Sequence, residues 1–436
     1  MEASTFVTRP LAEGVTLYVR PTRQFKKVTV RLFFHHPLGE DAGLTALVPR
    51  VLLRGSRLHP TTADLARYRE ELYGLGLDAE IGKIGRDQLV EWELTGVHPQ
   101  FVGAGQELLR QQLGLLAEVI TDPLWQDGTS TSGQLSFRAD YVDQEKRVLQ
   151  DLIASLINDK RSYAMVRLYQ EMFAGDPFSI YRYGSAEGIE PVTPHQLAEQ
   201  YQRLLQESPL TIFVVGDVDP VQIEEQLREL WAQLLHDRPG HLPAGGWMPS
   251  PHPVRRTHEP QPTRQALLYL GYSTGGITYA SDAYPALTMY SAILGGFPHS
   301  KLFLQVREKA SLAYFAWTRL ESTMGAMVAT CGINAQDEER ALDIIQHQVE
   351  AMARGDFTEE EWSATLEGLI TGLRSAYDSP NSLIDRVLMG VVNGRQRPIE
   401  EMIAALQRVT KDQVVEVAQK VQLDTIYFLG EREAQG

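Results

Sequence analysis

Between His236 and Thr263 the chain carries Pro239-Gly240, Pro243, Gly245-Gly246, Pro249, Pro251, Pro253, Pro260 and Pro262. Proline lacks an amide donor and its ring collides with the preceding helical turn, so this density excludes helix interiors and central strands. The stretch reads as an extended linker over 236–263, slightly past the middle of a chain of 436 residues, and it invites a comparison of what stands on either side. The pieces it separates, 1–235 and 264–436, are each of a size that one hydrophobic core can serve.

The two pieces repeat one another. Val192-Thr193 opens a helical stretch that leads to the run Thr211-Ile212-Phe213-Val214-Val215-Gly216, and Val409-Thr410 opens another that leads to Thr425-Ile426-Tyr427-Phe428-Leu429-Gly430. Gln196 and Gln413 follow the threonines at the capping-box spacing, which satisfies the first free amides of a helix. Pro194 suits the first helical position. The runs themselves are short and rich in β-branched and aromatic residues, as buried strands are. Nearer the start of each piece, Lys27 to Phe34 and Gln265 to Tyr272 read as strands leading toward a helix. Asp337 to Ala353 and Thr358 to Ser375, the latter with a Thr358/Glu361 capping box, space their apolar residues three and four apart. The expected fold is α+β: two homologous repeats, each an antiparallel-rich sheet with helices packed on one face.

Composition narrows the function. Lys and Arg number 41 against 56 Asp and Glu, a net charge of −15, which repels nucleic acid and anionic lipid. The opening Met1-Glu2-Ala3-Ser4-Thr5 lacks the basic and apolar regions of a signal peptide, and no apolar run reaches the roughly 18 residues that span a bilayer, so a cytoplasmic location is expected. A single cysteine, Cys331 in Met327-Val328-Ala329-Thr330-Cys331, provides neither a disulfide nor a thiolate metal site and reads as core filling.

Common catalytic patterns are missing or broken. There is no His-Glu-x-x-His and no Gly-x-Gly-x-x-Gly. Gly271-Tyr272-Ser273-Thr274-Gly275 spells a nucleophile elbow, but Gly276-Ile277-Thr278-Tyr279 is a poor helix start, so Ser273 reads as a strand-end turn. Gly76 with Gly82-Lys83 is one residue too long for a phosphate loop and Ile84 stands where Ser or Thr is required. His35-His36 with Glu40 is the densest group of potential ligands, but neighbours on a strand face opposite ways and no metal is expected there. The remaining histidines are read as solvent-facing.

Two stretches carry a resemblance. Gly43-Leu44-Thr45-Ala46-Leu47-Val48-Pro49-Arg50-Val51-Leu52-Leu53-Arg54-Gly55-Ser56 resembles the signature helix of the insulinase (pitrilysin-like) metallopeptidase family, whose His-x-x-Glu-His holds zinc and activates its water. Alignment on the flanks puts Ala46 and Arg50 at the histidines and Pro49 at the base. Ala46 has no lone pair, Pro49 cannot take a proton, and Arg50 sets a fixed cation where the metal should sit. The family's third ligand would fall at Asp151 or Leu152, within Glu145 to Leu152. The second stretch, Leu294-Gly295-Gly296 and then Ser300 to Tyr314 with Arg307-Glu308-Lys309 and Leu312-Ala313-Tyr314, is similar to the family's second-repeat motif. By resemblance, Arg307 and Tyr314 are the pair that holds a substrate carbonyl or its oxyanion.

The resemblance covers about residues 8 to 430 and implies a zinc-free, non-catalytic half of a divided peptidase. On that reading the chain closes the chamber and supplies Arg307 and Tyr314 to a paralogous subunit carrying the zinc, and has no metal or cofactor of its own. Asn158 to Ala164, Asp176-Pro177-Phe178 and Tyr183-Gly184 resemble the small bacterial branch associated with 5-aminopentanol modification of elongation factor P. A different class of function is a peptide-binding scaffold without proteolysis, capturing an extended chain on an edge strand around Gln88 to Thr95.

Overall fold

The computed structural model describes residues 6–105, 107–126, 135–249 and 252–431; Met1 to Thr5 and Pro251 lie outside the described residues. The chain forms two compact units, Met1–Ser155 with Ile180–Leu242, and Leu156–Ser179 with Pro243–Gly436.

The first unit is built on β1 (Val7–Ala12), β2 (Val15–Pro21), β3 (Lys27–Pro37), β4 (Gly76–Ile84), β5 (Asp87–Val97) and β6 (Leu210–Gly216), in the order β1-β2-β6-β3-β5-β4. Alternation along β3 sends Val28, Val30, Leu32 and Phe34 to one face, where they pack with Leu47 and Val51 of the helix Ala42–Leu52, Leu113 and Leu116 of Glu107–Thr121, and Leu197 and Leu204 of Pro194–Glu207;. Leu32 is fully buried, and Leu32→Ala there costs about 2–5 kcal/mol through lost transfer energy and a cavity.

The second unit is built on β7 (Arg255–Glu259), β8 (Ala266–Ser273), β9 (Ala313–Glu321), β10 (Ala326–Ile333) and β11 (Gln422–Leu429), in the order β7-β11-β8-β10-β9. Leu268, Leu270 and Tyr272 of β8 pack with Ile426 and Phe428 of β11 beneath the helices Tyr284–Gly295 and Glu338–Arg354. Cys331 lies in this core, fully buried, and burial pushes its thiol up to about 12.

The strand orders show the repeat directly. β2-β6-β3-β5-β4 and β7-β11-β8-β10-β9 are the same arrangement, with β2 parallel to β6 as β7 is to β11, and the other pairs antiparallel. All three capping boxes, at Thr193, Thr358 and Thr410, are formed.

Three features differ from the sequence reading. The linker is not unstructured throughout, because Arg255–Glu259 is the edge strand β7. Its prolines flank the strand at Pro253 and Pro260, where an edge tolerates them. The second repeat therefore begins inside 236–263. Next, residues 156–179 belong with the second half rather than with 1–235. The helix Lys160–Met172 lays Ala164 and Leu168 on Leu267, Tyr269, Tyr427 and Leu429, the sheet residues that alternate away from the main core. Tyr163 and Tyr427 both donate to Glu259, at 2.6 and 2.7 Å, with Arg167 on the same carboxylate at 3.0 Å. Finally, Gln88 to Thr95 is not at an edge: β5 is paired along its length with β3 on one side and β4 on the other, and β4 is the exposed margin. A single strand's composition does not reveal how many neighbours it has.

Candidate functional site

The motif helix Ala42–Leu52 is fastened at its start by side chains from three other elements. His36 Nε2 lies 2.9 Å from Asp41 Oδ2, and this hydrogen bond holds the Asp41 carboxyl below its ordinary range. Gln200 Nε2 donates to Asp41 at 3.1 Å and to Thr45 Oγ1 at 2.7 Å, while Gln88 Nε2 donates to the carbonyls of Ala42 and Arg182 at 2.8 and 2.7 Å. Gly43 has no room for a side chain: a Cβ would come 2.8 Å from Ile189 Cγ1, and the segment Tyr183-Gly184 presses on the same spot. Gly43 and Tyr183-Gly184, read separately from the sequence, thus meet at one contact.

Within the helix, Ala46 is fully buried and Pro49 stands inside the helical span, its nitrogen unable to donate to the turn before it;. Arg50 reaches the partner helix Ala139–Ser155, where Nη1 donates to Glu145 Oε2 at 3.3 Å, and Arg54 Nε donates to Oε1 of the same carboxylate at 2.5 Å. Glu145 is 7% exposed. These residues do not fit zinc. Two of the three motif positions have no donor atom, the third is a cation, and the carboxylate facing them is engaged by two guanidiniums. A divalent ion about 4 Å from one guanidinium would be disfavoured by roughly 8 kcal/mol at an effective dielectric near 20.

The carboxylate brought to the motif is Glu145, not Asp151 or Leu152, both of which are exposed. The signal was present in the helical period, since Val142, Glu145 and Leu149 are three and four apart and all buried, whereas Asp151 falls off that face;.

The second motif lies in the other unit. Residues Phe303–Lys309 form π-helical turns, closed by Ala310 N donating to Gln305 O and Leu312 N to Val306 O, both at 3.1 Å, and Ser311 takes φ 53° to turn the chain into β9. Such turns widen the helix and re-aim its side chains. Arg307 is left exposed, its guanidinium 4.5 Å from the Phe303 ring centroid and 3.7 Å from Glu308. Tyr314, at the start of the edge strand β9, is 72% exposed. It does not pack under the sheet.

The other sequence candidates resolve plainly. Ser273 is buried at the end of β8, its hydroxyl accepts from Gly275 N at 3.2 Å, and Gly275 and Gly276 take φ 63° and 79°, a turn rather than a helix start. His35 and His36 face different groups, as strand geometry requires. The remaining histidines are not all solvent-facing: His241 is 12% exposed and hydrogen-bonded to Asp87, and His258 bonds the Gly430 carbonyl at 2.7 Å. His35, Asp87 and His241 come together although nothing in their spacing, 52 and 154 residues apart, announces it.

Fold and motif helix together define a two-unit α+β protein whose motif helix takes part in an Arg50–Glu145–Arg54 ion triad. Sequence comparison agrees. Residues 191–369 match the family model described as the peptidase M16 inactive domain. The probable inactive metalloprotease YmfF of Bacillus subtilis (strain 168) is 34% identical over 417 residues, 95% of this chain and 96% of that protein. A conserved protein from Enterococcus faecalis V583 of known crystal structure has a TM-score of 0.89 at 27% identity, covering 99% of this chain and 100% of that one. The periplasmic protease PqqL of Escherichia coli shares the fold at a TM-score of 0.73 and 15% identity, with 99% of this chain spanning 48% of PqqL. The chain belongs to the M16 peptidase family, the insulinase and pitrilysin-like metallopeptidases, as a half-size member without the family's zinc motif. Among the described residues no helix is long and apolar enough to cross a membrane.

Proposed function

We propose that the chain is the subunit without catalytic zinc in a heterodimeric M16 peptidase, closing the chamber and presenting Arg307 and Tyr314 to substrate held at the zinc of a paralogous subunit in the cytoplasm. The observation that carries this reading is an asymmetry. The first motif is consumed by the Arg50–Glu145–Arg54 triad, whereas Arg307 and Tyr314 stand exposed on the second. A guanidinium and a phenol so placed can take up a carbonyl oxygen whose charge grows during attack. The half-length match to PqqL fits a division of one enzyme into two chains. The stretch from Asn158 to Ala164 and the Asp176-Pro177-Phe178 and Tyr183-Gly184 segments support a place in the modification of elongation factor P.

The test is peptide hydrolysis by the chain mixed with its zinc-motif paralogue. Arg307→Ala and Tyr314→Phe should each lower kcat/KM by about 10²-fold, and values within about twofold of the unmodified chain would overturn the donation of these groups. The margin of β4, Gly76–Ile84, favours a second reading, a scaffold that captures an extended peptide without cleaving it;. Peptide binding by the chain alone, with no zinc-bearing subunit co-purifying, would select it.

A further inference from the structure

Three donor atoms from distant parts of the chain, His35 Nδ1, Asp87 Oδ2 and His241 Nε2, lie within 4.8 Å of one another. The β3–β5 register places them. Pro37 pairs with Asp87, so His35, two residues along, shares that face one diagonal step away;. His241 arrives from the far side of the unit's last helix, on a segment locked by Arg238, which is 4% exposed, donates through Nη1 to Ser208 O at 3.0 Å, and whose amide donates to Glu13 O at 3.0 Å.

His241 Nε2 sits 2.5 Å from Asp87 Oδ2, and the His35 and His241 rings are 4.6 Å apart between centroids. His35 is 2% exposed, its Nε2 lies 2.9 Å from Thr211 Oγ1, and its Nδ1 has no hydrogen-bond partner, Asp87 being 3.7 Å away. An orphaned polar atom this deep is uncommon and calls for an explanation. With Thr211 accepting the proton of Nε2, the lone pair of Nδ1 points into the cluster, the arrangement by which an outer partner fixes the tautomer of a ligating histidine.

We propose that His35, Asp87 and His241 form a cation site of the zinc class, with Thr211 orienting His35 and a water completing four-coordination. Bonds of about 2.0–2.2 Å in tetrahedral geometry set donors roughly 3.3 Å apart. The His35–Asp87 separation of 3.7 Å needs to close by a few tenths, the His241–Asp87 pair to open by less than about 1 Å, and the His35–His241 pair, within 4.8 Å, to close by up to about 1.5 Å. Two imidazoles and one carboxylate favour zinc over magnesium or calcium, which prefer all-oxygen shells. The site is separate from the motif helix and independent of the function proposed above. It fastens the start of the linker to β3 and β5.

The experiment titrates untagged, chelator-treated full-length chain with cobalt(II) alone, followed by visible absorption, and then displaces it with zinc. The expected result is about one equivalent bound with tetrahedral ligand-field bands that zinc abolishes. His241→Ala and Asp87→Asn should each weaken binding by at least about tenfold, and Thr211→Val by about tenfold, with circular dichroism of the metal-free variants unchanged. Absence of bands, or bands indifferent to His241→Ala, would overturn the site. Should the variants fail to fold, the Tm of the unmodified chain decides: a rise with excess zinc supports the site, and no rise overturns it.

Discussion

The motif helix of the first unit and the segment carrying Arg307 and Tyr314 in the second differ in how their polar side chains are placed. At the first, the backbone frame is kept in detail, with Gly43 in its tight contact and Asp41, Thr45 and Ala42 each held by a side chain from elsewhere. The chemistry inside that frame is closed by Arg50, Arg54 and Glu145. At the second, side chains able to meet a ligand remain exposed. The polar side chains of the first motif are paired within the fold, whereas Arg307 and Tyr314 stay exposed.

That contrast can be broken or sharpened by measurement. The largest effect belongs to Glu145→Ala, which leaves two cations on the motif helix without their carboxylate; unfolding in urea should show a loss of about 3 kcal/mol, and a loss under about 1 kcal/mol would mean the triad is not what stabilises the helix pair. Next comes pH. Burial holds His35 below its ordinary 6.5, so the unfolded chain binds a proton that the folded chain refuses. Stability should then be fully present above about pH 6.5 and fall as pH drops below it, by up to about 1.4 kcal/mol per pH unit until the folded value is reached. His35→Gln should flatten that slope, and an unchanged slope would assign it to other groups. A step down, the capping boxes at Thr193 and Thr410 occupy matching places in the two repeats, and Thr→Ala at either should cost about 1 kcal/mol; clearly unequal losses would show that the repeats no longer share their local energetics. Smallest of all, Arg307→Ala and Tyr314→Phe should leave the urea midpoint within about 0.5 kcal/mol of the parent, and a larger shift would make them structural residues.

The sequence carried the repeat because each of its marks is local. A capping box needs four residues, and a buried strand announces itself by a run such as Thr211 to Gly216. What escaped was set by pairing between distant segments. β7 hides among prolines because an edge strand needs only one row of amides. β5 passes for an edge because its second neighbour, β4, is a strand of mixed polarity. Glu145 was within reach through the spacing of Val142 and Leu149, but the family resemblance pointed six or seven residues further on, to Asp151 or Leu152. The meeting of His35, Asp87 and His241 depends on strand register and on a segment that returns after the last helix of the first unit, and no local pattern encodes either.

The helix Lys160–Met172 has a practical consequence for anyone dissecting this chain. It lies on the N-terminal side of the linker, yet it covers Tyr269 and Tyr427 in the sheet of the second unit. A fragment beginning at Pro243 would strip that face bare, leaving a wide apolar surface with Glu259 deprived of Tyr163 and Arg167, and would be expected to aggregate on expression. The boundary most visible in the sequence is therefore a poor place to cut. A permuted chain that opens at Leu156 and keeps this segment joined to the second half is the version expected to remain in solution.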